Sequence, residues 1–89
     1  MNKTTSQFAN EIHQMSIKAR YAEDPDESKK SRILMTVFLR EILRSEQGNH
    51  SEIASSLLAN SRVTCSKEQA MTLAKAATRH KIDFGRILP

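Results

Sequence analysis

The sequence predicts an all-α fold: a small bundle of about four helices, with a long second helix at its centre. Three observations predict it. Apolar residues recur at spacings of three and four, helix-capping pairs stand ahead of the periodic segments, and only two Gly and two Pro occur in 89 residues. That leaves too little turn chemistry for a many-stranded sheet. With no Trp, one Tyr and three Phe, the core must come mainly from Ile, Leu, Val, Met and Ala, which suits helix-on-helix packing.

The first helix is expected after Thr4, because Thr4 and Gln7 have the spacing of a capping box. Phe8, Ile12, Met15, Ala19 and Ala22 then form one apolar stripe, and Ile17 and Tyr21 lie off it. Asp24, Pro25 and Glu27 mark the next start: Asp24 can cap, Pro25 suits the first helical position, and negative charge is favoured there. The second helix should run to about Glu46, with Gly48 and Asn49 as its stop. Leu34, Met35, Phe38, Leu39 and Ile42 centre its apolar arc, which Ile33, Val37 and Leu43 widen. Lys29, Arg32, Arg40 and Arg44 share the opposite side.

Asn49 and Glu52 repeat the capping spacing before a shorter helix, roughly His50 to Asn60, with Ile53, Ala54, Leu57 and Leu58 inward. Arg62 to Cys65 reads as a connector, briefly extended. Ser66 and Gln69 open a last helix to about His80, with Ala70, Leu73, Ala74 and Ala77 on one side. Without repeats, low-complexity tracts or long linkers, residues 1–89 read as a single domain, frayed over 1–4 and irregular over 82–89. A core this small invites completion by a second copy, so a homodimer is expected.

Composition also narrows function. The lone Cys65 has no intrachain disulfide partner, and Met1 to Ser6 carry no apolar leader core, which points to a reducing, cytoplasmic location. No apolar run approaches the roughly 20 residues of a membrane-spanning helix, so no membrane association is expected. Cys65, His13, His50 and His80 show neither metal-ligand nor nucleophile–base spacing. The carboxylates Glu23, Asp24, Asp26 and Glu27 lack the pattern of a calcium loop and suit a helix start better. No cofactor, metal or catalytic set is therefore expected, and the chain reads as a binding protein.

Two partner classes compete. Ile17, Tyr21, Phe84, Ile87 and Leu88, with the broad arc of the second helix, exceed what one small bundle would neatly bury. They predict a regulatory or adaptor protein that binds a protein partner through helical surfaces. The alternative is a nucleic-acid-binding regulator using Lys29, Arg32, Arg40 and Arg44, extended by Lys75 and Arg79, since a row of cations can neutralise successive phosphates. The net charge of +4 is also an ordinary solubility device. Glu41 and Glu46 lie within reach of the same arginines. A helix-turn-helix fits poorly, because Asn60 to Cys65 is long for its turn.

Overall fold

A computed structural model of the chain describes residues 3–60 and 63–87, without the side chains of residues 49, 50 and 86. Four helices run in the expected order, α1 (Thr5–Tyr21), α2 (Pro25–Ser45), α3 (Asn49–Ala59) and α4 (Lys67–Arg79), followed by a single turn, α5 (Phe84–Ile87). No described residue forms a strand. The Cα radius of gyration is 11.9 Å, matching the value of about 12 Å expected for a compact chain of this length.

Local chemistry sets the helix starts. The Thr4 hydroxyl accepts from the Gln7 N–H at 3.1 Å while the Gln7 side chain accepts from the Thr4 N–H at 2.8 Å. Ser66 and Gln69 repeat the exchange at 3.0 Å in both directions. Asp24 caps α2 by accepting from the Asp26 N–H, and Pro25 occupies the first turn. Each box satisfies N–H groups that a helix start would otherwise leave without partners. Thr4 is thus an anchored cap, and Lys3 beside it pairs with Glu11.

Two boundaries differ from expectation. Helix α3 begins one residue earlier: Gly48, at φ 95°, is the cap and Asn49 is already helical. Glycine takes that left-handed conformation without the steric cost a Cβ would bring. In the connector before α4 the chain turns at Val63, at φ 47°, and no described residue there forms a strand; Arg62 lies outside the described residues. Beyond α4, the Ile82 N–H bonds the Ala77 carbonyl at 2.9 Å and the Lys81 N–H bonds Thr78 at 3.3 Å, with Lys81 at φ 57°. This paired closure satisfies the free carbonyls of the helix end and turns the chain back across the bundle.

Helix α2, 21 residues long, is central: it meets α1, α3, α4 and α5. Helix α1 lies between α2 and α4, and α3 rests on α2 and α4. Ala70, Leu73, Ala74, Ala76 and Ala77 of α4 are fully buried, and their short side chains let helix axes approach closely. All three phenylalanines of the chain meet at the centre of the core. Phe8 lies edge-on to Phe38 and to Phe84, with ring centroids 5.9 and 6.0 Å away, and Phe38 and Phe84 are 4.9 Å apart. Such pairs contribute about 0.5–1.5 kcal/mol beyond their buried area. They fasten α5 to α1 and α2, so the C-terminal segment expected to be irregular closes the bundle as a helical turn.

Candidate protein interface

The functional question turns on what α2 leaves outside the core. At about 100° per residue, Leu34, Met35, Phe38, Leu39 and Ile42 fall on one side, and all are buried. Ile33 falls opposite the middle of that arc and is 53% exposed. It extends the expected apolar arc into solvent and does not widen the core. Val37, one turn further, is half-buried, as is Thr36. Two rows with a spacing of four therefore run side by side on the outer face: Lys29, Ile33, Val37 and Arg32, Thr36, Arg40. Between them lies a shallow depression of about 310 Å³ lined by these six residues.

Lys29, Arg32 and Arg40 are exposed and form no ion pair among the described residues. The Thr36 hydroxyl donates to the Arg32 carbonyl at 2.8 Å, so its polar group is already satisfied. The depression is thus apolar in its middle and cationic at both ends. The rest of the expected basic surface is divided. Arg44 pairs with Glu41 at 3.4 Å, Lys75 stands exposed on α4, and Arg79 pairs with Glu46.

Glu46 does not serve the α2 arginines as expected. Its carboxylate, largely covered, binds both Arg79 and His80 and ties the end of α2 to the end of α4. The hydrogen bond from His80 first, then that from Arg79, holds the Glu46 carboxyl below its ordinary value of 4.5. Helix spacing could not reveal this contact, because Arg79 and His80 stand at the end of α4, far from Glu46 in sequence.

The expected protein-binding residues separate. Phe84 is only 4% exposed and belongs to the core: the aromatic contacts that close the bundle remove it from any outer surface. Ile87 is half-buried against that core. Leu88 lies outside the described residues. Ile17 is half-buried, whereas Tyr21 is 62% exposed, with the Arg20 guanidinium 5.1 Å from its ring centroid. Of the apolar surplus read from the sequence, Phe84 and Ile87 thus belong to or pack on the core, and among the described residues Tyr21 and Ile33 are the exposed large apolar side chains.

His13 and Cys65 meet, but not as a thiol–imidazole pair. The His13 Nδ1 bonds the Cys65 carbonyl at 3.0 Å, and since a carbonyl can only accept, Nδ1 carries the proton. The buried Ser16 hydroxyl donates to the His13 carbonyl at 2.8 Å and accepts from the Cys65 N–H at 3.3 Å and its thiol at 3.5 Å. Burial pushes the thiol pKa up, and the Ser16 contact offsets part of the rise. These bonds join α1 to the connector before α4. His13 and His80 are both half-buried, and the His50 side chain lies outside the described residues. The acidic cluster also has local work: Asp24 caps α2, and Glu27 lies 3.9 Å from Lys18.

The chain matches no protein-family model, no curated protein and no solved structure. Among the described residues no group of three or more His, Cys, Asp or Glu is placed to hold a metal ion, and no helix is long and apolar enough to cross a membrane. A wide groove of about 700 Å³ between α1, the start of α2 and α5 is walled in part by the Lys3–Glu11 and Lys18–Glu27 ion pairs. The outer face of α2 stands apart, because Lys29, Arg32 and Arg40 form no ion pair among the described residues and its middle is apolar.

Proposed function

We propose that this chain is a small cytoplasmic regulatory or adaptor protein that acts by binding a protein partner through the outer face of α2. One observation carries the reading: Ile33 is 53% exposed at the middle of the solvent side of the 21-residue α2, beside Val37 and between exposed cations. Covering a half-exposed Ile contributes on the order of 1 kcal/mol. Ile33 alone therefore gives weak binding, and the flanking charges must add affinity and orientation. A second copy of this chain is the less favoured occupant, because it would set one positive strip against another.

The test is a photo-crosslinking residue at position 33 in the native cell, with exposed position 75 as control. A discrete protein adduct formed at 33 and not at 75 supports the reading; equal or absent crosslinking at both contradicts it.

A nucleic-acid-binding regulator is the second reading, favoured by Lys29, Arg32 and Arg40, which form no ion pair among the described residues. It is weaker because Arg44 and Arg79 are committed to Glu41 and Glu46 and because apolar side chains occupy the middle of the strip. It predicts duplex binding that falls steeply with salt and is lost in Arg32→Glu with Arg40→Glu.

A further inference from the structure

Resting on the protein-binding reading, we propose that the occupant of the α2 face is an acidic amphipathic helix, seated by two apolar side chains four residues apart. The shape argues for a helix. Rows with a spacing of four form ridges on an α-helix, and the groove between two of them receives the corresponding ridge of another helix, crossing at about −50°. Here the ridges are Lys29–Ile33–Val37 and Arg32–Thr36–Arg40, and the depression between them is lined by just these side chains. Thr36 is short and its hydroxyl is bonded to the Arg32 carbonyl, so an apolar anchor can sit over it without leaving a polar group unsatisfied.

The charge argues for acidity. Lys29 and Arg32 stand at one end of the groove and Arg40 at the other, none in an ion pair among the described residues. From Lys29 to Arg40 the helix rises about 16 Å. The occupant must therefore be apolar for its middle turn and carry carboxylates about three turns apart. A phosphate backbone meets the cations but lays charge over Ile33 and Val37, where burial without a partner is costly. A second copy brings cations to cations. An acidic helix with an apolar pair satisfies both the ends and the middle.

Fluorescence anisotropy with the full chain at low salt tests this, using a labelled, stapled helix that carries two Leu four residues apart with Glu at both ends of the same face. Controls are an isomeric helix with its two Leu on opposite faces and a labelled DNA duplex. The stapled helix should bind in the micromolar range. Affinity should fall at least tenfold for the isomer, for Ile33→Asp, and for Arg32→Glu with Arg40→Glu, with circular dichroism unchanged in the variants. Equal binding of the isomer, no effect of Ile33→Asp, or tighter binding of the duplex would each overturn the proposal. If the stapled helix fails while position 33 still crosslinks to a protein, the partner chemistry is wrong and the protein-binding reading stands. If both fail, both fall.

Discussion

Both faces of α2 carry large apolar side chains, and these meet opposite fates. On the inner face Met35, Phe38, Leu39 and Ile42 are fully buried; on the outer face Ile33, as apolar as any of them, is 53% exposed. Ile33 and Leu34 are adjacent in sequence, yet a rotation of about 100° separates solvent from core. Hydrophobicity decides that a side chain gains by burial, but angular position decides whether this chain or a partner provides it. The inner face should therefore register in stability and the outer face in binding.

The largest expected effect comes from breaking the inner face. Phe38→Ala removes a ring that touches both Phe8 and Phe84 and should cost about 3–5 kcal/mol in urea unfolding. Overfilling is the milder insult: Ala77→Leu forces a larger side chain into a fully buried site on α4 and should cost about 1–3 kcal/mol by the same assay. Ser66→Ala deletes one half of a capping box, and its midpoint should report a loss of about 1 kcal/mol.

Acid should loosen the clasp between α2 and α4. The Glu46 carboxyl is held below its ordinary value of 4.5, so its stabilisation is complete above that value and is lost as pH falls through the lowered one. Urea midpoints of the parent protein and Glu46→Gln, followed from neutral pH downwards, should differ at first and converge in acid. The smallest effect belongs to the outer face. Ile33→Ser should leave stability within about 0.5 kcal/mol, since its side chain is half in water already; a larger loss would mean that the outer face supports the fold.

Features governed by neighbours in sequence were legible. The Thr4–Gln7 and Ser66–Gln69 boxes, the Asp24–Pro25 start and the inner arc of α2 all depend on spacings within a few turns, and the structure reproduces them. The α3 start shifted by one residue because Gly48, at φ 95°, takes the cap position that Asn49 was expected to fill. Contacts between distant elements were not legible. Phe84 looked available to a partner because nothing in its own segment reveals that Phe8 and Phe38 converge on it. Glu46 was placed within reach of the α2 arginines for the same reason, although Arg79 and His80 at the end of α4 bind it. The site was half readable: the cations of α2 stood out as a row, but the groove between two ridges emerges only once the opposite face is seen to be buried.

The claim that α2 uses one face to fold and the other to bind is tested most directly by titrating Ile33→Asp with the stapled acidic helix, after confirming that its urea midpoint matches the parent protein. The account predicts an intact fold with at least tenfold weaker binding. Undiminished binding by a well-folded Ile33→Asp protein would contradict it.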